Sequence, residues 1–384
     1  MTVSYWQDNS TDHLVECDVC VVGAGIVGSY LAWLVAGQGR RVCHLEAKHA
    51  AWGASGRNAG MVLTGTAQYY YDAICQYGHD LARQVWELSL HNRDIARGLS
   101  EQLGTPWDPC GSLLLALDDT EAEDLQRTAE AMLEDGHAVK FTTKDPLERG
   151  FVAAVMQQGD AGVHPARLTQ ALAQNSGAAL WEWSELFGWE QLPDGRLEVR
   201  SRRATVRCDM MALCVNSYAP LIHPYFEGKV VPTRGQILVT EPLDKQVLGQ
   251  LCYGDYGYEY FRQLPDGRFL LGGWRHHFRD LEVGYEDKVT PQVQGGLEEF
   301  MARYFPDLAG ARITHRWSGT MGFSQDGLPL VGSLPGEPNV FFAVGFTGHG
   351  MGYGLATAER LAVHMLLGQS LEWLDARRLE AQVA

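Results

Sequence analysis

Three glycines, Gly23, Gly25 and Gly28, lie between two short apolar runs, and Glu46 follows eighteen residues after the last of them. That spacing suits the phosphates and ribose of a dinucleotide. Gly23 permits a tight turn, Gly25 lets the backbone approach a pyrophosphate, and Gly28 allows a helix to pack closely on a strand. The helix that follows would offer its first N–H groups and the positive end of its dipole to the phosphates. Glu46 can accept hydrogen bonds from both ribose hydroxyls, and its charge would repel a 2′-phosphate, which argues against NADP. Glycine turns also arise for steric reasons, but a turn between two strands with a terminal acid points to a ligand. This unit alone does not separate NAD from FAD.

A second group of residues could recognise a substrate. The segments Tyr253 to Arg262 and Gly272 to His277 offer Tyr258, Tyr260, Arg262, Trp274, Arg275, His276 and His277, with Asp255 and Glu259 as their carboxylates. Aromatic walls with one cation suit an amine that also bears a carboxylate. Arg275 or Arg262 could be that cation; an arginine beside two histidines could equally be a solvated surface cluster. His349, inside Gly348-His349-Gly350-Met351-Gly352, sits where small residues let the backbone face something closely. Cys17 and Cys20 have the spacing of a redox or zinc pair, but residues three apart on a strand point to opposite faces. A structural role is expected for them, and no metal site is expected.

The elements that must position these groups are legible. An apolar strand ends at Val22, an apolar helix runs to about Gly37, and a second strand closes at Glu46. HPARLTQALAQNSG reads as a helix with Pro165 in its first turn and Gly177 past its end. LPDGR occurs twice, at Leu192 to Arg196 and Leu264 to Arg268, and Asp-Gly there predicts two hairpins. Residues 81 to 103 and 119 to 134 read as amphipathic surface helices with acidic starts. Asn339 to Gly345 reads as a buried strand, followed by an apolar-periodic helix that stops at Gly368.

Composition removes several classes of function. A formal charge of −16 disfavours nucleic-acid binding, and 46% hydrophobic with 20% charged residues over 384 positions describes a globular chain of about two domains. The N-terminal stretch lacks a cationic start before an apolar run, and no stretch is apolar enough to span a bilayer, so a cytoplasmic location is expected. Eight dispersed cysteines do not form a disulfide framework.

A further small-residue segment, Gly53-Ala54-Ser55-Gly56-Arg57-Asn58-Ala59-Gly60-Met61, follows the first unit at once. Together with Gly162 to Leu168, Arg234-Gly235-Gln236, Trp317-Ser318-Gly319 and Asp326 to Gly332, it makes the chain resemble the FAD-dependent D-amino-acid oxidase superfamily, which includes glycine and sarcosine oxidases. The resemblance runs from about residue 16 to about residue 368. It implies an α/β fold with a Rossmann-like FAD-binding domain of the GR2 type and an interleaved α+β substrate domain built on an antiparallel sheet. The FAD-binding part would comprise residues 15–75, 145–225 and 315–370, the substrate-binding part 76–144 and 226–314, and residues 1–14 an N-terminal extension.

The resemblance also implies FAD contacts at Gly23, Gly25, Ile26, Val27, Gly28, Glu46, Ala47, Gly53, Ala54, Ser55, Arg57 (facing phosphate or flavin), Asn58, Ala59, Gly60, Met61, Leu186, and Gly348 to Met351. Hydride would pass from the carbon bearing nitrogen to flavin N5, with O2 or another acceptor regenerating the cofactor. Arg275, Arg262, Tyr258, His349 and Trp317 are the expected substrate-side residues, Trp317 and Tyr258 as pocket wall. Where many relatives carry an arginine five residues before Asp326, this chain has Met321, which argues against a simple D-amino-acid oxidase. Gly319 and Leu271 stand near the positions of a flavin-linking cysteine and an oxygen-activating lysine, so noncovalent FAD is expected. The competing readings are an oxygen-independent dehydrogenase feeding a quinone or carrier, an NAD-linked dehydrogenase, and a noncatalytic flavin-binding or tRNA-modifying protein.

Overall fold

A computed structural model describes residues 13–380, so most of the expected N-terminal extension, residues 1–12, lies outside the described residues. The opening apolar run forms the strand Val19–Val22, all four residues buried, followed by the helix Ile26–Gly37 and the strand Val42–Leu45. Four consecutive buried residues mark a strand covered on both faces, as parallel sheets require. A six-stranded sheet results, in the order Ala179–Trp181, Val42–Leu45, Val19–Val22, Met210–Leu213, Glu337–Val344 and Leu330–Leu334. Its strands are parallel except the last, which runs antiparallel to Glu337–Val344.

A second sheet has eight strands, ordered Ile313–Ser324, Val230–Pro242, Arg268–Gly272, Glu259–Gln263, Leu251–Gly254, Ser112–Ala116, Ala153–Gln157 and Val139–Thr142. It is antiparallel except where Leu251–Gly254 runs parallel to Ser112–Ala116. Two of its strands, Ala153–Gln157 and Ile313–Ser324, lie wholly or mostly in segments that the resemblance implied for the cofactor part. Both LPDGR segments turn hairpins, with Gly195 and Gly267 at φ of 87° and 85°, a region only glycine enters freely.

The helix Gly350–Leu367 ends at Gly368 in the left-handed conformation, and Pro165–Asn175 begins with proline in its first turn. The amphipathic helix His79–Leu103 buries one face against Gly350–Leu367. Buried Asn92 joins the two: its Nδ2 donates to Met351 O at 2.9 Å, and its Oδ1 accepts from the Leu355 N–H at 2.8 Å.

For Cys17 and Cys20 the opposite-face argument needs correction. Cys17 precedes the strand, so strand alternation does not apply to it, and both residues enter one apolar cluster with Cys43 and Cys208. All four are buried and unpaired.

Candidate functional site

The carboxyl ends of four parallel strands open on one cavity of about 440 Å³. Val22 leads into Gly23–Val27, Leu45 into Glu46–Lys48, Leu213 into Cys214–Ile222 and Val344 into Phe346–Gly352, and each stretch contributes to the lining. This is where an open parallel sheet receives a ligand.

The first turn is a cradle that a side chain would fill. Gly23 has φ of 101°, and a Cβ there would lie 2.6 Å from Cys214 O; a Cβ on Gly28 would lie 2.0 Å from Gly23 O. Beneath the turn, buried His44 holds Gly23 O through Nε2 at 3.0 Å. Ser55 Oγ accepts from the Ile26 N–H at 2.9 Å, tying the second small-residue segment to the helix start. Glu46 accepts from the Ala24 N–H through Oε2 and from the Lys48 N–H through Oε1, both at 2.8 Å. Burial raises its pKa while those two donors oppose the rise. Each oxygen retains a lone pair for a hydroxyl.

The Gly53–Met61 segment is braced from within. Asn58 donates to Ala54 O and Ser55 O and accepts from the Gly60 N–H at 2.7 Å. Arg57 lines the cavity, but its guanidinium reaches Trp52 O, Ser318 O and Asp287. That chelation fixes the loop against the strand Ile313–Ser324.

At the far end, the N-terminus of the helix Gly350–Leu367 faces the cavity, so its dipole favours negative charge there. His349 is buried, its pKa pushed down to about 4 by desolvation, and its Nε2 has no hydrogen-bond partner among the described residues. Tyr253 and Tyr260 line the same cavity, and neither hydroxyl is hydrogen-bonded among the described residues. Burial pushes Tyr260 up to about 12, and Arg275 pulls it back.

Arg275 sits one layer behind this lining. It is half-buried, makes no ion pair among the described residues, and rests on the rings of Phe323 at 4.7 Å and Tyr258 at 5.1 Å. Desolvation lowers its pKa. Phe323 and Met321 lie on one face of their strand, and a Cβ on Gly348 would lie 3.6 Å from the Phe323 ring and 3.3 Å from Met321 Sδ. Met321 therefore occupies the cavity wall, and Arg275 approaches the same region from a neighbouring segment.

Of the expected cofactor contacts, Gly23, Gly25, Ile26, Val27, Glu46, Ala47, Gly53, Ala54, Ser55, Arg57, Asn58, Ala59, Met61, Leu186 and Gly348 to Met351 line the cavity. Gly28 and Gly60 lie behind it, Gly60 because its φ of 69° turns the chain beneath Val163.

Three substrate-side expectations need correction. Arg262 is 2% exposed and committed elsewhere: it donates to Gly60 O at 2.7 Å and reaches Asp108 at 3.5 Å, bracing the sheet. Trp317 donates from Nε1 to Arg57 O, so it supports a lining residue and is not itself lining. Tyr258 also lies outside the lining, accepting from Arg279 while stacking on His276 at 4.3 Å.

The sequence reading missed the wall Val215–Ile222, where Asn216, at φ of 43°, accepts from the Gly345 and Phe346 N–H groups. An Asn closing the apolar run Met210 to Val215 was the available signal, since Asn tolerates left-handed backbone.

The family model for FAD-dependent oxidoreductases (DAO) matches residues 18–363. Glycine oxidase of Pseudomonas aeruginosa is 28% identical over 362 residues, covering 90% of this chain and 93% of the relative. Gamma-glutamylputrescine oxidoreductase of Escherichia coli is 26% identical over 389 residues, covering 96% and 86%. Among solved structures, L-proline dehydrogenase from P. horikoshii superposes with a TM-score of 0.81 at 22% identity over 96% of this chain and 99% of the other. Glycine oxidase from Geobacillus kaustophilus follows at 0.80 and 22%, over 95% and 99%.

Proposed function

The chain belongs to the FAD-dependent oxidoreductase (DAO) family, and from that premise we propose that it oxidises the C–N bond of a small amine that also carries a carboxylate. The observation that carries this reading is Arg275, a desolvated cation without a carboxylate partner among the described residues, beside the unpartnered hydroxyl of Tyr260. A guanidinium held this way gains most from a carboxylate brought to it.

The residues present fit FAD. The Gly23–Gly28 cradle and the Ile26 helix start would hold the pyrophosphate, Glu46 the adenosine ribose, and Gly348–Met351 the ring system. When bound, FAD supplies a two-electron acceptor for the hydride of the carbon bearing nitrogen. The chain's own work is orientation. Arg275 and the tyrosine hydroxyls anchor the carboxylate, Met321 and Phe346 exclude water from the amine side, and the dipole of Gly350–Leu367 steadies negative charge at the inner end.

We place FAD as noncovalent. Gly319 has no side chain to form a link, and Cys214, the one cysteine lining the cavity among the described residues, has its thiol pushed up to about 12 by burial, where thiolate is scarce. Leu271, fully buried in an apolar cluster, supplies no cation to assist oxygen, so the acceptor is O2 or another oxidant. We divide the chain as its sequence implies, with Ala153–Gln157 and Ile313–Ser324 reassigned to the covering sheet. The amine and amino-acid substrates named for its relatives make this class the first to test.

Anaerobic screening of amines, N-methyl amino acids and D- and L-amino acids tests the reading through bleaching of the flavin band near about 450 nm. Bleaching by carboxylate-bearing amines is expected; bleaching only by amines lacking a carboxylate would overturn the anchor. Peroxide formation on a positive substrate then separates an oxidase from a dehydrogenase.

A further inference from the structure

Behind the wall that carries Arg275, four polar side chains converge. One ligand atom each of Asp255, His276 and His277 lie within 4.8 Å of one another. His276 Nε2 is 2.9 Å from Asp255 Oδ2, and the two imidazole centroids are 3.8 Å apart. Glu259, at 0% exposure, supplies a fourth group from below: its Oε1 is 3.8 Å from His276 Nδ1, and its carboxyl meets that of Asp255. Two atoms remain over. Glu259 Oε2 and His276 Nδ1 are buried without a hydrogen-bond partner among the described residues.

Among those residues no lysine or arginine pairs with either carboxylate. Two imidazoles beside Asp255 form a donor set that a cation would complete, and the negative charge of the abutting Asp255 and Glu259 carboxylates, out of water, is what such a cation would offset.

We propose that Asp255, His276 and His277 bind one divalent transition-metal ion of the zinc class, with buried Glu259 beneath them, on the side of the second ring nitrogen of His276. Mixed imidazole and carboxylate donors suit zinc and neighbouring first-row ions better than magnesium or calcium, which take oxygen alone. His277 is exposed, which gives the ion a path in. The ion would join the turn between Leu251–Gly254 and Glu259–Gln263 to the 3-10 segment Arg275–Glu282. Arg275 immediately precedes His276, so the same ion fixes the base of that side chain. The site needs only these four residues and stands apart from the substrate reading.

The test uses the full-length, tag-free chain with its flavin, stripped by chelator, incubated with Zn²⁺, desalted and analysed for metal. About one zinc per chain is expected, falling below roughly 0.1 in Asp255→Asn and His277→Ala while flavin absorbance per chain is retained. Co²⁺ in place of Zn²⁺ should give visible ligand-field bands that the same variants lose. Wild-type protein that holds no zinc and shows no cobalt bands, or variants that bind as wild type does, would overturn the proposal and leave a carboxyl pair sharing a proton. If both variants lose their flavin through misfolding, the wild-type cobalt titration still decides.

Discussion

Arg275 is a half-buried charged group with aromatic faces for neighbours and no ion-pair partner among the described residues. Replacing it with alanine should raise KM for a carboxylate-bearing amine on the order of 100-fold, the loss of a charge-assisted contact of about 2 to 3 kcal/mol. The decarboxylated analogue should change little, and steady-state kinetics on the pair decides; equal losses would remove the anchoring role. His44 makes a different claim. Its pKa is depressed to about 4 because it is fully buried beneath Gly23. A depressed histidine contributes stability above its unfolded value, near 6.5, that is lost as pH falls through about 4, up to about 3 kcal/mol. His44→Gln can keep the hydrogen bond to Gly23 O while removing the titration. Melting temperatures between those pH values should therefore fall less steeply in this variant than in the wild type. The role of His44 was not legible beforehand, since a histidine inside an apolar strand shows its partner only when the turn folds back over it.

Elements were read more securely than side chains, for a local reason. The Gly23–Gly28 turn, both LPDGR hairpins and the Gly368 stop depend on backbone conformations that their own residues dictate. Gly25 and Gly28 in the first turn differ in what they should do when altered. Gly28→Ala brings a Cβ within 2.0 Å of a backbone oxygen, so the helix must shift from its strand; lower melting temperature and reduced flavin content are both expected. At Gly25 the nearest obstacle is the movable Ser55 Oγ at 3.0 Å. Gly25→Val should then fold but copurify with little FAD, as measured by absorbance per chain; normal occupancy would count against the pyrophosphate placement. Asn92, by contrast, gave no sign that it would stitch the helix His79–Leu103 to Gly350–Leu367. That helix read as an amphipathic surface element because its periodicity shows a buried face without naming what covers it.

At the scale of the molecule, the cavity draws on both large sheets: the carboxyl ends of the parallel strands provide one end, while Gly235, Tyr253, Tyr260 and Met321 come from the eight-stranded sheet. A ligand contacting both sheets binds the folded state alone, so FAD should stabilise by mass action, about 2.7 kcal/mol at a hundredfold excess over Kd. Titrating FAD into flavin-free protein should raise the melting temperature by several degrees, with no rise from NAD at equal concentration; equal shifts would contradict the cofactor reading. By itself the sequence determined the dinucleotide unit, the order of motifs and the family likeness, because these rest on residues close together in the chain whose spacing sets backbone geometry. Which of Arg262 and Arg275 comes to lie beside the cavity lining was decided only in three dimensions. Arg262 and Arg275 are equivalent as residue types, yet strand register drives the first under Gly60 and Gly162 and leaves the second against Phe323 beside the lining. The convergence of Asp255, Glu259, His276 and His277 has the same origin, since neighbouring strands and the turn beyond them bring together groups that no linear spacing pairs.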